Sequence, residues 1–440
     1  MQKARVKRVG ALLVGISLVA AACGSDDDDA DEAPTTEAAS DGEATEEEAT
    51  DEEAAGEGCT SDGVLTIGTI LPVTGDLAFL GPPEVAGAER AVEDLNAAGG
   101  VLGTDVVLEQ GDSGDTTTDT ANLEVDRLLA AGSDAIMGAA SSAVSKTVID
   151  KITGSCTIQF SPANTSADFT DYDDNGLYFR TAPSDLLQGR VLGNEILADN
   201  ATLSILFRQE SYGTGLAETI REVFEEGGGI IDEFLPYAVD TESFDAEVDA
   251  LVEAGSDAII VIGFAESASI LTTMNERGIG PNDNAVYGTD GNIGGIGAEL
   301  ADPSIIAGMK GTEPSVDLTT ITDFTDRLDE AGDMGGVYAY GAETYDSIII
   351  TALAAQIAGS DDPSAIAVEI NGVTKDGETC TTVAECLELI EAGEDIDYDG
   401  LGGPYEFVDA GEPAAASFRV ATYDGAETPN TDLDVYIFAS

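Results

Sequence analysis

The string AGSDAI occurs twice in this chain, at residues 131–136 and again at residues 254–259. The first copy lies within LEVDRLLAAGSDAIMGAASS (Leu123–Ser142) and the second within FDAEVDALVEAGSDAIIVIGFAES (Phe244–Ser267). Each copy follows an amphipathic helical pattern, contains a glycine typical of a helix end, and opens an apolar run typical of a buried strand. This repeated helix–turn–strand unit predicts two lobes of similar α/β construction.

The segments around the two copies alternate between strand and helix patterns. Apolar strand patterns occur at VLTIGTILP (Val64–Pro72), TIQFSP (Thr157–Pro162), LSILFRQ (Leu203–Gln209) and AVYGTD (Ala285–Asp290), with helical patterns between them, as at Pro83–Gly100. This alternation predicts parallel sheets with crossover helices. Ligands of such sheets bind beyond the carboxyl ends of the strands, so GAASS (138–142) and GFAES (263–267) are expected to face one cleft.

The N-terminus has the pattern of an export signal. Lys3, Arg5, Lys7 and Arg8 precede an apolar run of 14 residues, and the sequence VAAAC ends at Cys23. Small residues before this cysteine resemble a bacterial lipoprotein processing site, which implies cleavage after residues 1–22 and acylation of the Cys23 thiol. We expect lipid anchoring to the outer face of the bacterial cytoplasmic membrane, periplasmic or cell-surface; cleavage that releases the protein is the alternative.

Acidic residues dominate both the following segment and the rest of the chain. Asp26–Glu57 holds 16 acidic residues and no Lys or Arg, so residues 23–60 are expected to form an extended, disordered tether. The whole chain carries a formal net charge of −69, which argues against nucleic acid and polyanionic ligands. The length after the tether suits two domains.

Four cysteines besides Cys23 form an even set in an exported protein, which indicates disulfides. Three pairings are open, and we favour Cys380–Cys386 as a local loop with Cys59–Cys156 across the first lobe. The chain has no His, which excludes Ser-His-Asp, Cys-His and His-metal chemistry. We therefore expect neither an enzyme, nor a metal site, nor a cofactor.

The segment DYDDNG (Asp171–Gly176) matches the start of a calcium-binding loop. The twelfth position of that loop is Ala182 rather than Glu, and a strand pattern follows instead of a helix. An acidic turn is the better interpretation.

Several longer segments together resemble one protein family. They are Leu65–Gly103, the GAASS segment, SPANTS (Ser161–Ser166), YGTGLAE (Tyr212–Glu218) and YGAETYDSIIITALA (Tyr340–Ala354). In their order and spacing, residues 64–440 are similar to the branched-chain amino acid-type (Leu/Ile/Val-binding protein-like) substrate-binding proteins of ABC transporters, which have the type 1 periplasmic binding protein fold.

The resemblance implies two Rossmann-like lobes with parallel sheets, joined by a three-segment hinge. We place the crossings near Thr181–Ser184, Thr312–Ser315 and Gly400–Pro404. The first ligand-binding lobe is then expected at 61–182 and 315–400, and the second at 183–312 and 404–440.

The resemblance also implies a set of ligand-binding residues. Ser142 is expected to hold a ligand carboxylate, with Ser141 as the alternative if the register shifts by one. The Ala163 carbonyl and the Thr165 hydroxyl are expected to contact the amino and carboxylate groups, and Asp290 to pair with the ammonium. Tyr212 and Phe264 are expected to close the cleft, and Leu80 lies where relatives often carry an aromatic wall. Taken singly, these residues also suit helix caps, a turn, the surface or a core.

The expected function is that of an extracytoplasmic solute-binding component of an ABC importer. It would capture a small amino acid-like ligand by hinge closure and deliver it to permease subunits, acting as a monomer. A surface receptor or sensor of the same fold that binds amides, urea or organic acids is the alternative.

Overall fold

The computed structural model describes residue 59 and residues 61–440. The signal segment, Cys23 and most of the tether lie outside these described residues. The described part contains two large sheets, each covered by helices, and a small sheet of three strands. This is the predicted α/β class with parallel sheets.

The first sheet is wholly parallel and has the strand order β2-β1-β3-β4-β5. Its strands are β1 (Thr66–Ile70), β2 (Val107–Glu109), β3 (Ala135–Gly138), β4 (Ile158–Ser161) and β5 (Tyr178–Arg180). The helices α1 (Gly81–Ala97), α2 (Thr120–Ala131) and α3 (Ser142–Gly154) connect them. Because the strands run in parallel, the loops after β1, β3 and β4 lie at the same edge of this sheet.

The second sheet has the order β15-β14-β10-β9-β8-β6-β7. Five strands run in parallel: β6 (Thr202–Arg208), β7 (Ile230–Tyr237), β8 (Ala258–Ile262), β9 (Ala285–Gly288) and β10 (Lys310–Pro314). Two antiparallel strands extend it, β14 (Ala416–Thr422) and β15 (Val435–Ala439). The helices of this part are α4 (Asp185–Asp199), α5 (Ser211–Glu226), α6 (Asp245–Ala254), α7 (Ser267–Glu276) and the short α8 (Ile296–Glu299).

The chain between β10 and β14 supplies the remaining elements. They are the helices α9 (Thr322–Ala331), α10 (Gly341–Ala358), α11 (Pro363–Ile370) and α12 (Val383–Ala392), and a small sheet of β11 (Glu378–Cys380), β12 (Ile396–Gly400) and β13 (Gly403–Pro404). Residues of α10 pack with those of β1, β3 and β4 in one hydrophobic core, so this stretch belongs to the first sheet.

Both AGSDAI copies form the predicted helix–turn–strand unit. The helix ends at a left-handed glycine in each copy, Gly132 (φ 84°) and Gly255 (φ 64°). The aspartates of the two copies also have equivalent roles. Asp134 accepts a 2.8 Å hydrogen bond from the backbone N–H of Thr66 at the start of β1, and Asp257 accepts one of 3.2 Å from Thr202 at the start of β6. The repeat therefore encodes a strand-edge contact in addition to the turn.

The third passage between the sheets lies later than predicted. Tyr405 and Phe407, expected in the second lobe, are buried in the core of the first sheet. The N–H of Arg180 in β5 donates to the carbonyl of Gly411, which holds this segment on the first sheet. The chain enters the second sheet only at β14, because after β13 Phe407 packs against Phe160 and Tyr405 packs against Phe407, which buries both rings on the first sheet.

Both favoured disulfides are present in the structure, Cys59–Cys156 and Cys380–Cys386, with Cα–Cα distances of 5.7 Å and 5.3 Å. Among the described residues, no helix is both long enough and apolar enough to cross a membrane.

Candidate functional site

The loops at the carboxyl ends of strands from both sheets meet between the two sheets. Ser141 and Ser142 follow β3, and Ala163 and Thr165 follow β4. On the second sheet, Tyr212, Phe264 and Asp290 follow β6, β8 and β9, respectively. All of these side chains except that of Ser141 are buried.

The N-terminus of α3 points into this region. Ser141 is the N-cap residue, and its hydroxyl accepts a 3.4 Å hydrogen bond from the N–H of Val144. Ser142, the first helical residue, is buried, and its Oγ accepts from the N–H of Ser166 over 3.4 Å. The cap role thus belongs to Ser141, and the Ser142 hydroxyl keeps its proton to donate to another group. The free N–H groups and the dipole of a helix N-terminus favour an anion.

The loop after β4 is held in place by its neighbours. Asn164 donates from Nδ2 to the carbonyls of Ala139 and Ala140, over 2.9 Å and 2.8 Å. The carbonyl of Thr165 accepts a 2.7 Å hydrogen bond from the N–H of Asp185, the first residue of α4. These bonds leave the side chain of Thr165, which is almost fully buried, beside the cleft.

Asp290 is the most heavily bonded acidic residue of the site. Its Oδ1 accepts hydrogen bonds of 2.8 Å from both Gln188 and Tyr212, and its Oδ2 accepts one of 2.8 Å from Tyr340. Burial raises the pKa of Asp290, while the three donors oppose that rise. The carboxylate is therefore fixed in position by three different elements.

Asp185 was missed by the sequence analysis. It is fully buried, and neither of its carboxylate oxygens has a hydrogen-bond partner among the described residues. Burial raises its pKa well above the ordinary range, and the negative charge of Asp290 raises it further, whereas the Thr165 hydroxyl and the positive charge of Arg180 oppose the rise. In the sequence, Ser184–Asp185 has the pattern of a helix start. The one signal that could have indicated a further role for Asp185 is Gln188, because a polar side chain three residues later lies on the same face of the helix.

The apolar part of the site is a single cluster. It contains four of the predicted residues, Leu80, Ala163, Tyr212 and Phe264. Tyr212 and Phe264 stack with ring centroids 5.5 Å apart. Leu77, Ala140 and Tyr340 belong to the same cluster. The structure therefore brings the predicted wall and the predicted closing residues together.

Two polar contacts join the sheets at the rim of this cluster. Arg208, at the end of β6, donates to Asp76 in the loop after β1 over 2.7 Å. The hydroxyl of Ser211, at the start of α5, lies 2.9 Å from that of Ser166 and donates to Asp168 over 3.1 Å. Ser141 lies next to the first contact, in a small cavity lined also by Asp76, Arg208 and Phe264.

A cleft between two α/β sheets, with a helix N-terminus and buried acids at strand ends, is the arrangement of a known family. A sequence model described as "Periplasmic binding protein" matches residues 64–428. The chain belongs to this family. The sequence-based prediction of a branched-chain amino acid-type periplasmic binding protein is thereby confirmed, and with it a ligand-binding role.

Individual members of the periplasmic binding protein family show similarity along most of the chain. The substrate-binding protein BasB of a chemotactic signal transduction system in Halobacterium salinarum is 27% identical over 366 residues, covering 79% of this chain and 84% of BasB. The Leu/Ile/Val-binding protein homolog 1 of Brucella suis is 27% identical over 308 residues, covering 68% of this chain and 80% of that protein.

Solved structures show the same fold. The branched-chain amino acid transporter substrate-binding protein LivJ of Streptococcus pneumoniae, in complex with isoleucine, superposes with a TM-score of 0.69 at 19% identity. The match covers 85% of this chain and 99% of LivJ. These relatives are named as binding proteins rather than enzymes.

Proposed function

We propose that this protein is the extracytoplasmic solute-binding component of an ABC importer and captures a small α-amino acid between its two lobes. The observation that carries the proposal is the buried carboxyl group of Asp185 beside Asp290, whose two oxygens accept no hydrogen bond within 3.5 Å among the described residues. A buried carboxylate is costly unless a cation or hydrogen-bond donors compensate it. The ammonium group of an amino acid would supply both the charge and the donors.

The other end of the site suits a carboxylate. Thr165 meets Asp185 through its carbonyl, and the next residue, Ser166, meets Ser142 at the N-terminus of α3. Thr165 and Ser166 therefore lie between the acidic Asp185 on one side and the N-terminus of α3 on the other. The two charges of an α-amino acid are separated by one carbon atom, so one small zwitterion could reach both. In this assignment Ser142 and Thr165 bind the carboxylate, and Ala163, Asp185 and Asp290 bind the ammonium.

The apolar cluster favours a ligand with an apolar side chain. Leu80, Tyr212 and Phe264 are each at most 5% exposed and offer no charged group to a ligand side chain. We assign Leu80 to the wall of the side-chain pocket and the Tyr212–Phe264 stack to the opposite side.

Ligand capture would proceed by hinge closure. The passages between the sheets, at residues 181–184, 314–316 and 413–416, all contribute to the lining of one cavity of about 80 Å³. A ligand that touches residues of both sheets stabilises the closed arrangement by its differential contacts. The closed rims would then be recognised by permease subunits.

Calorimetric titration with three matched compounds tests the ligand assignment. Leucine carries both charged groups, 4-methylpentanoate lacks the ammonium, and 3-methylbutylamine lacks the carboxylate. We expect binding of leucine alone, and a loss of at least tenfold in affinity for Asp185→Asn, the size expected for a charged hydrogen bond. Asp199→Asn, an exposed aspartate at the other end of α4, is the matched control. Equal binding of leucine and 4-methylpentanoate would refute the ammonium site.

A melting-temperature panel tests the ligand class more widely. It compares leucine, valine, alanine, glutamate, phenylalanine, urea, short-chain amides and benzoate. At a ligand concentration of about 100 times Kd, stabilisation amounts to about 2.7 kcal/mol, which raises the melting temperature by several degrees. If the melting temperature rises only with acids or amides, the protein still binds a small ligand as its family does, but the proposed contact of Asp290 with a ligand ammonium is wrong.

Membrane attachment is a separate part of the proposal. Cys23 follows a signal-like segment and is the expected site of acylation, outside the described residues. Mass spectrometry of the protein from a bacterial host should find an N-terminal, lipid-modified Cys23, and Cys23→Ser should move the protein to the soluble extracytoplasmic fraction. An unmodified mature N-terminus elsewhere would refute the anchor.

A chemosensory role is a second candidate, favoured by the similarity to BasB. The captured ligand would then be reported to a membrane signal transducer. Uptake of labelled ligand distinguishes the two roles: deleting an importer component abolishes uptake, whereas deleting a sensor abolishes the chemotactic response and leaves uptake intact.

A further inference from the structure

A buried guanidinium lies at the rim of the cleft. Arg208 is only 2% exposed, and its Nη2 donates to Oδ2 of Asp76 over 2.7 Å. Its Nη1 lies 2.9 Å from Oε1 of Glu266, and the guanidinium lies over the ring of Phe264, 4.7 Å from the centroid. A cation buried to this degree requires anionic partners.

The two carboxylates differ in where they come from. Glu266 follows β8 in the same sheet as Arg208 and is held by the hydroxyl of Tyr237 over 2.7 Å. Asp76 belongs to the loop after β1 in the first sheet, and its side chain is 35% exposed. Glu266 is thus a fixed partner, whereas Asp76 pairs with Arg208 only while the two sheets stand close together.

The position of this pair relates it to the ligand. Arg208 and Asp76 line the same small cavity as Phe264, which the proposed function assigns to the ligand site, and as Ser141, the N-cap residue of α3. The Nε of Arg208 is buried and has no hydrogen-bond partner among the described residues. An acidic ligand side chain in this cavity would meet a guanidinium already paired with two carboxylates, and it would also face the carboxylate of Glu210, which lines the same cavity.

We propose that Asp76 is a specificity-determining residue that occupies Arg208 in place of an acidic ligand side chain and tightens the closed cleft. The inference rests on the proposed function. With Asp76 in place, a further negative charge would be repelled, so ligands with neutral side chains are selected. Without it, Arg208 has one carboxylate fewer and can pair with a ligand carboxylate in the same geometry.

The test compares Asp76→Asn with Asp115→Asn. Asp115 lines the same cavity but bonds within its own loop, to the hydroxyl of Thr117 over 2.6 Å, so it controls for loss of a nearby charge. Both side chains lie on surface loops, so both variants should fold. The first readout is calorimetric titration of the full chain with leucine and with glutamate.

For Asp76→Asn we expect leucine affinity to fall by about tenfold and glutamate affinity to rise by about tenfold, the size of one charged contact. Asp115→Asn should leave both affinities unchanged. A variant Asp76→Asn that gains no glutamate affinity, or gains no more than Asp115→Asn, overturns the proposal.

A second readout needs no ligand. Hydrogen–deuterium exchange should quicken in residues 72–77 and 209–213 of Asp76→Asn, since both loops lose one of the polar contacts that join the sheets. Should the wild-type protein bind no amino acid, the proposed function fails. Faster exchange in these loops would then still support the pairing role of Asp76, and unchanged exchange would overturn it.

Discussion

The hydroxyl of Tyr340 donates a 2.8 Å hydrogen bond to Oδ2 of Asp290. Tyr340 immediately precedes α10, which packs on the first sheet, whereas Asp290 follows β9 in the second. The backbone of Tyr340 is left-handed, with φ of 60°, a conformation uncommon for a large side chain. The local backbone therefore directs this hydroxyl to the acidic residue on the other sheet.

Replacing Tyr340 by Phe should weaken ligand binding and lower stability, each by about 1–3 kcal/mol. The reason is that the substitution leaves one oxygen of a buried carboxylate without its donor. Affinity by calorimetry and the free energy of unfolding by urea denaturation measure the two effects. Tyr338→Phe is the control, because that hydroxyl bonds to Asp329 outside the cleft. Equal behaviour of the two variants would contradict a site-specific role for Tyr340.

Glu343 makes the stability of the protein depend on pH. Burial in α10 raises its pKa to about 8, and the charges of Asp346 and Glu313 add to the rise; Glu84 faces the same group from α1. Because the folded state holds this proton more tightly than the unfolded state, its contribution is complete below pH 4.5 and is lost as the pH rises through 8.

Glu343→Gln should remove that loss. We expect the variant to be more stable than the wild-type protein at pH 9 by on the order of 2–4 kcal/mol, and the difference to shrink at pH 5. Urea denaturation at both pH values measures it. Glu388→Gln, an exposed residue of α12, should show no such pH-dependent gain.

The two disulfides should contribute unequally. Cys59–Cys156 spans 97 residues and Cys380–Cys386 spans 6. In the loop-entropy account, the longer loop is worth about 4.7 kcal/mol and the shorter about 2.2 kcal/mol. Denaturation of the double variants Cys59→Ser/Cys156→Ser and Cys380→Ser/Cys386→Ser compares them. A larger loss from the short loop would show that native-state packing, rather than loop closure, decides their contributions.

Salt should stabilise the folded protein. A formal net charge of −69 creates self-repulsion that added ions screen, since the Debye length falls from about 10 Å at 0.1 M salt to about 3 Å at 1 M. We expect the melting temperature to rise by several degrees between these two concentrations. Sucrose at equal osmolality controls for non-ionic effects, and a melting temperature independent of NaCl would contradict the prediction.

The sequence was sufficient to determine the fold class, because helix and strand patterns are local. The AGSDAI copies show this most clearly: the same letters produce the same left-handed glycine, the same strand start and the same aspartate contact in both sheets. For the cysteines, the sequence left three pairings open, and the structure contains the favoured one. The sequence placed Ser142, Thr165 and Asp290 at strand ends for the same reason.

Only the tertiary structure revealed contacts between residues that are far apart in the sequence, because a local sequence pattern carries no information about such contacts. In the sequence, Asp185 has the pattern of an ordinary helix start. Only the folded structure shows that its carboxyl group is buried beside Asp290, which is 105 residues away in the chain. The position of the third crossing depends on the packing of Tyr405 and Phe407 in the same core as Phe160. The spacing of these residues in the sequence does not indicate that packing. Likewise, Arg208 and Asp76 acquire a joint role only when folding brings the two sheets together, because an ion pair depends on distance in space.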